Sequence, residues 1–342
     1  MNYLLSKLYG LIIFLRTTLY HKRVLRSWQL PHPVISVGNL TVGGTGKTPL
    51  VSFLAQTLKK FGYQPIILTR GYKRTSKTPI LLVSDGGNPM CSWEECGDEP
   101  YLLARNLDGI PVVVSKNRYK AGQHVQNDYS HPIIYLLDDG YQHLQLKRNL
   151  DILLLDATDP FGGNKLLPLG RLRENIRSLK RADAIIITRS HIPFDVEHVN
   201  AQIHKWNPWA PIAYFHHEIT SIYDLKTGDH YSTRDFLGKK VIALAAIGNP
   251  KIFLHDLEHY QMIIKDSFIF RDHHNYDQSD LNRVLARLTE LQADIVVTTQ
   301  KDSIRLEHLK FSESQIFVFE IEAVPEHPSS YAEDFLNKVK LL

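Results

Sequence analysis

Hydrophobic positions along this chain fall mostly into short unbroken runs. Pro33–Val37, Pro65–Leu68, Pro111–Val114, Ile133–Leu137, Ile152–Leu155, Ala184–Ile187, Val241–Ala245 and Asp294–Thr298 are dominated by β-branched and aliphatic side chains, without polar alternation. Such runs predict strands covered on both faces. Helical patterns stand between many of them, at Pro49–Phe61, Pro100–Asn106 and Asp280–Gln292. Strand and helix in alternation predict an α/β fold built on a doubly wound, mostly parallel sheet. The rhythm breaks once, over residues 213–232, where two extended segments flank the turn Lys226-Thr227-Gly228-Asp229 and predict a β-hairpin.

The chain opens on a different pattern. Leu4, Leu8, Leu11, Ile12, Leu15 and Leu19 recur at helical spacing and share one broad face, flanked by Lys7 and Arg16. The run Leu8–Leu15 is far shorter than the roughly 20 apolar residues a spanning helix needs, and no small-residue cleavage site follows it. Two readings stay open: a helix lying in a membrane interface with its cations among anionic head groups, or a helix packed on the protein's own core.

Composition narrows the class. Of 342 residues, 43% are hydrophobic and 22% charged, which excludes a disordered, collagen-like or polytopic membrane chain. The length is that of roughly two domains. An excess of 40 Lys+Arg over 36 Asp+Glu is too mild to indicate a nucleic-acid partner and suits an anionic substrate or a membrane surface. Two cysteines, Cys91 and Cys96, are too few for a disulfide framework or a Cys-rich zinc site, so a reducing compartment is the default.

The most specific chemistry lies after the first buried run. Gly43-Gly44-Thr45-Gly46-Lys47-Thr48 opens a helix in which Pro49 fits the first turn. Glycines at 43, 44 and 46 let backbone N–H groups converge on phosphate oxygens, and the helix N-terminus adds partial positive charge. In such a loop Lys47 reaches the terminal phosphates and the Thr48 hydroxyl reaches a magnesium ion. The usual pattern has glycine at position 41, where this chain has Thr41. A second metal-holding carboxylate is expected at a neighbouring strand end. Asp138 and Asp139 supply it, with Asp156 as the rival. A further acidic pair, Asp98-Glu99, precedes a Pro-led helix; it caps that helix or holds a fixed carboxylate base, and the two are compatible.

Taken in order, Val37–Pro49, Thr69-Arg70-Gly71-Tyr72, Gly97-Asp98-Glu99-Pro100, Leu137–His143, Leu167–Glu174, Ile247-Gly248-Asn249-Pro250, Asp272-His273-His274 and Lys301-Asp302 resemble the tetraacyldisaccharide 4′-kinase family of lipid A biosynthesis over nearly the whole chain. The resemblance implies ATP-dependent phosphorylation of the 4′-hydroxyl of an anionic glycolipid, tetraacyldisaccharide 1-phosphate, to give lipid IVA. It implies a peripheral enzyme on the cytoplasmic face of the bacterial inner membrane, using ATP and Mg²⁺; no obligatory protein partner is evident in the sequence. By position it implies nucleotide binding by Gly43, Gly44, Thr45, Gly46, Lys47 and Thr48. Metal binding falls to Thr48, Glu99, Asp138 and Asp139, and catalysis to Lys47, Asp98, Arg173 and His273. Arg171 competes with Arg173 for the phosphates, and His274 with His273 for the histidine's role. The expected organisation is a membrane-associating helix (1–22), a P-loop nucleotide domain (23–212), a hairpin linker (213–236) and a smaller α/β domain (237–342).

Overall fold

The computed structural model describes residues 2–129 and 132–326; positions 327–342 of the expected C-terminal domain lie outside the described residues. The described residues divide into two units, one within residues 2–217 together with 323–326, and one of residues 218–322.

The first unit contains helix α1 (Asn2–His21), strand β1 (Val34–Asn39), α2 (Lys47–Lys60), β2 (Gln64–Thr69), β3 (Ile80–Ser84), α3 (Trp93–Cys96), α4 (Asp98–Asn106), β4 (Val112–Ser115), α5 (Arg118–Val125), β5 (Ile133–Asp138), β6 (Leu150–Asp156), β7 (Ala184–Thr188), α6 (Val196–Trp206) and the start of β8 (Ile212–Asp224). Its strands run β8-β7-β6-β1-β5-β2-β4-β3, all pairs parallel except β3 with β4. Residues alternate between cores along each strand. Ile35 and Val37 of β1 and Ile134 and Leu136 of β5 face one core, while Val34, Ile133, Tyr135 and Leu137 face the other. Unbroken apolar runs are what a sheet covered on both faces requires.

The second unit holds the end of β8, then β9 (His230–Tyr231), β10 (Lys240–Ala245), α7 (Pro250–His259), β11 (Ile263–Ile269), α8 (Gln278–Glu290), β12 (Ile295–Thr299), α9 (Gln300–Leu306) and most of β13 (Ile316–Pro325). β8 and β9 pair antiparallel through Ile222–Tyr231 and Tyr223–His230 around the expected turn. Strand β11, absent from the sequence reading, pairs with β10 and alternates exposed with half-buried residues. One face is open to solvent, so its pattern lacks the unbroken run that marks the central strands.

Helix α1 presents its apolar residues outward. Leu4, Leu5, Leu8, Leu11, Ile12, Phe14, Leu15 and Leu19 are exposed, while Ser6 is buried and Tyr9, Gly10, Ile13 and Arg16 are half-buried on the inner edge. Ser6 Oγ donates to Leu166 O at 2.9 Å, Tyr9 Oη to Arg173 O at 2.9 Å and Arg16 Nη2 to Gln142 O at 2.8 Å. The core-packing reading of the apolar face therefore does not hold: the packed edge is largely polar. Arg16, expected to flank the apolar face, turns inward instead. No helix among the described residues is long and apolar enough to cross a membrane.

Candidate active site

β1 is buried at every position and lies between β5 and β6. Its C-terminal end therefore opens at the centre of the sheet, where crevices between crossovers collect ligands in folds of this kind. The following loop is held from several sides. Asn39 Nδ2 donates to Thr41 O at 2.8 Å, and Thr41 forms an antiparallel bridge with Leu172. That extended bridge explains how threonine serves where the usual pattern has glycine. Glycine is required further on. Gly43 (φ 110°) and Gly46 (φ 76°) adopt left-handed backbone. A Cβ on Gly43 would lie 2.6 Å from Arg171 Nη2, and one on Gly46 2.6 Å from His217 Nε2. A Cβ on Gly44 would meet nothing within 4 Å, so the loop has an open face there.

Gly46 is the N-cap of α2, and Lys47 is its first residue. Lys47 Nζ donates to Asn39 Oδ1 at 3.2 Å and stands 3.7 Å from Asp139 Oδ1. Behind the loop, Thr188 Oγ1 donates to Thr45 O at 3.0 Å. His217 is kept neutral by burial and by the Arg189 charge, and its Nε2 has no hydrogen-bond partner.

The two strand-end acids behave differently. Asp138 is buried and accepts from Thr69 Oγ1 at 2.8 Å. Burial first, then the neighbouring Glu99 and Asp139, push its carboxyl up to about 6. Asp139 sits at φ 51°, and Arg173 Nη1 donates to both of its oxygens at 2.8 Å. Burial alone would raise Asp139; Lys47 and Arg173 overcome it and hold the group at about 2. Gly140 fixes this corner, because a Cβ there would lie 2.7 Å from Ser36 Oγ and from Leu137 Cβ. The rival acid, Asp156, is occupied elsewhere: it pairs with Arg189 and accepts from Thr158 N and Oγ1.

Asp98 begins α4 and is buried, its Oδ1 accepting from Glu99 N at 2.9 Å. Gly97 before it (φ 98°) leaves no room for a side chain, since a Cβ would lie 2.9 Å from Tyr72 O. The Thr69–Tyr72 and Gly97–Pro100 motifs thus pack on each other, and Glu99 is brought within electrostatic reach of Asp138.

Arg171 and Arg173 do separate jobs. Arg171 Nε and Nη2 donate to Val42 O at 3.2 and 2.9 Å, and its Nη1 pairs with Asp159 at 3.1 Å. Arg171 braces the start of the loop, whereas Arg173 holds Asp139. In the second unit the two histidines also separate. His274 Nε2 meets Asp280 Oδ2 at 2.7 Å at the start of α8 and stacks on Phe270. His273, at φ 63°, lies 3.4 Å from Lys301 Nζ and 3.6 Å from Asp272 Oδ2.

Two neighbours of the acids carried no role in the sequence reading. Arg118 is buried, and burial lowers its guanidinium to about 10 against the pull of Asp139 and Asp138. Its Nη1 lies 3.3 Å from His143 Nδ1. Burial, then Arg118, drops His143 to about 3, leaving a neutral ring whose Nε2 has no partner. His143 closes the Asp-Asp-Gly-Tyr-Gln-His motif and was within reach of inspection; Arg118 belongs to no pattern. Among the described residues no group of three His, Cys, Asp or Glu forms a ready metal cage.

A profile of the tetraacyldisaccharide-1-P 4′-kinase family matches residues 2–340. A tetraacyldisaccharide 4′-kinase of Pelobacter propionicus is 39% identical over 305 residues, covering 88% of this chain and 81% of its own. One of Halothermothrix orenii is 36% identical over 330 residues, covering 92% and 84%. A crystal structure of LpxK from Aquifex aeolicus in complex with ATP superposes with a TM-score of 0.75 at 34% identity, covering 98% of this chain and 97% of that one.

Proposed function

The chain belongs to the tetraacyldisaccharide-1-P 4′-kinase family, and from that premise we propose how its residues carry out the reaction. It is a kinase: it transfers the terminal phosphoryl group of ATP to the 4′-hydroxyl of tetraacyldisaccharide 1-phosphate in lipid A biosynthesis. The observation that carries the assignment of roles is Lys47, set at the N-terminus of α2 beneath an open glycine loop and drawn toward Asp139.

Residues 23–212 are read as a P-loop nucleotide domain, with residues 213–236 as the linker. Backbone N–H groups of residues 43–48 bind the phosphates, and Lys47 swings from Asp139 to the transferring group as negative charge arrives. Arg173, oriented by Asp139, faces the same charge. The donor set suits magnesium, which takes hard oxygen ligands. Thr48, Glu99 and Asp138 are the proposed holders, and the mutual repulsion that raises Asp138 is what a divalent cation would relieve. Bound there, the ion neutralises phosphate charge. The oxygens of Asp139 are already engaged by Arg173. Asp98, fixed by its own turn, accepts the proton of the 4′-hydroxyl as the new P–O bond forms. Arg118 and the free Nε2 of His143 supply a cation and a ring nitrogen beside the acids, suited to a sugar phosphate. The outward apolar face of α1 is read as the membrane-seated surface through which a peripheral enzyme reaches its lipid.

The test is transfer of labelled phosphate from ATP to the lipid disaccharide. The wild-type protein is expected to form the bis-phosphorylated product, and a folded Lys47→Ala variant to form none. Wild-type turnover by that variant would remove the phosphate loop from the mechanism.

A further inference from the structure

The segment Leu166–Arg173 delivers both arginines of the site, and α1 grips it at each end. Ser6 Oγ binds the carbonyl of Leu166 and Tyr9 Oη the carbonyl of Arg173. Gly10, next to Tyr9, lies so close to the same segment that a Cβ on it would come 2.8 Å from Leu166 Cδ1. Arg16, two turns on, binds the carbonyl of Gln142. From these contacts the path to the chemistry is short. Gln142 Nε2 donates to Asn39 O at 3.0 Å and its Oε1 accepts from Arg173 Nη1 at 3.4 Å. Asn39 Oδ1 accepts from Lys47, and Arg173 holds Asp139. Arg171, within the gripped segment, braces Val42 at the mouth of the phosphate loop.

The burial pattern of α1 shows what the grip is for. A helix that stabilised the body by ordinary packing would turn its leucines inward. Here the inner edge is Ser6, Tyr9, Gly10, Ile13 and Arg16, and the leucines face away. Whatever seats the leucines therefore also sets the position of the polar edge. We propose that Ser6, Tyr9 and Arg16 are positioning residues for phosphoryl transfer. Through them a helix seated on the lipid surface fixes the Leu166–Arg173 segment, and with it Arg173 against Asp139 and Arg171 against the phosphate loop. This rests on the kinase and membrane readings above, and adds that α1 tunes turnover as well as attachment.

A misplacement of about 1 Å at a reacting group costs up to about 100-fold in rate, and one lost hydrogen bond corresponds to about fivefold. Tyr9→Phe keeps the ring and removes only the hydroxyl. The expected result is a kcat reduced about fivefold or more in mixed micelles saturated with lipid disaccharide. Partition onto phosphatidylglycerol vesicles and the melting temperature are expected to stay unchanged, and any rise in the KM for ATP to stay within the roughly fivefold that the Arg171 brace itself is worth. Ser6→Ala should act in the same direction, and Arg16→Lys should retain more turnover than Arg16→Ala. Leu11→Ser, on the outer face, should show the opposite split: weaker vesicle partition and a higher KM for lipid. Wild-type kcat in both Tyr9→Phe and Ser6→Ala would overturn the proposal and leave α1 as an anchor only. A fall in kcat matched by loss of folded protein would overturn it as well. Failure of the wild-type protein to phosphorylate the lipid would instead refute the functional reading on which it rests.

Discussion

Asp138 carries a cost that the fold accepts. Its carboxyl is raised from 3.8 to about 6 by burial and by Glu99 and Asp139. A group bound more tightly to its proton in the folded state than in the unfolded one loses stability as pH rises through the interval between the two values. At pH 7 the charged Asp138 is therefore a net liability. Asp138→Asn keeps the hydrogen bond to Thr69 and removes the charge. It is expected to raise the melting temperature at pH 7, by a stabilisation on the order of 1–3 kcal/mol, to lose that advantage below pH 4, and to abolish turnover. Thermal melts at pH 4 and pH 7 check it; a lower melting temperature at pH 7 would contradict the account. This residue was legible in the sequence as an acid after a buried run. What the sequence could not show was the division of labour with Asp139. Both follow the same strand, and only the turn at Gly140 sends one to Thr69 and the other to Arg173.

Among elements, most central strands announced themselves, whereas β3, β11 and β13 and the loops did not. Each of the eight short β-branched and aliphatic runs became a strand, because a parallel sheet covered on both faces tolerates little else. The Leu166–Arg173 segment has no period to read. Its position comes from bonds such as Arg173 N to Leu40 O and Val42 N to Arg171 O, which join residues far apart in the chain. That is why Arg171 and Arg173 were interchangeable on paper. The structure predicts that they separate kinetically. Arg171→Ala removes a brace from Val42 and should raise the KM for ATP about fivefold, the value of one or two hydrogen bonds, with kcat little changed. Arg173→Ala removes a charge facing the transferred group and should lower kcat by on the order of 100-fold or more. Steady-state kinetics at varied ATP decide it; equal effects on both constants in both variants would merge the two roles again.

The whole molecule is two units on one thread: the chain leaves the first unit within β8 and returns to it within β13. The second unit owns its cores. Ile242, Leu244, Val296, Ile316 and Val318 face one cluster, and Val241, Ala243, Ala245, Val297, Phe317 and Phe319 face the other. The two sets alternate along β10, β12 and β13, so each strand feeds both. Helix α8, capped by Asp277 and Asp280, closes one side with Leu281, Val284 and Leu288; α7 closes the other with Phe253 and Leu257. A unit of about 100 residues with two complete layers over a central sheet is within the size range that folds alone. Residues 218–322 expressed by themselves should therefore show α/β circular dichroism and a single cooperative urea transition, with a stability on the order of 5–10 kcal/mol. Only the first and last strands lose covalent neighbours in such a fragment, and both carry side chains packed within it, Ile219 and Phe319 among them. A broad, non-cooperative transition would mean that these cores depend on the rest of the chain, and that the alternation along β10, β12 and β13 is not sufficient to specify a folded body.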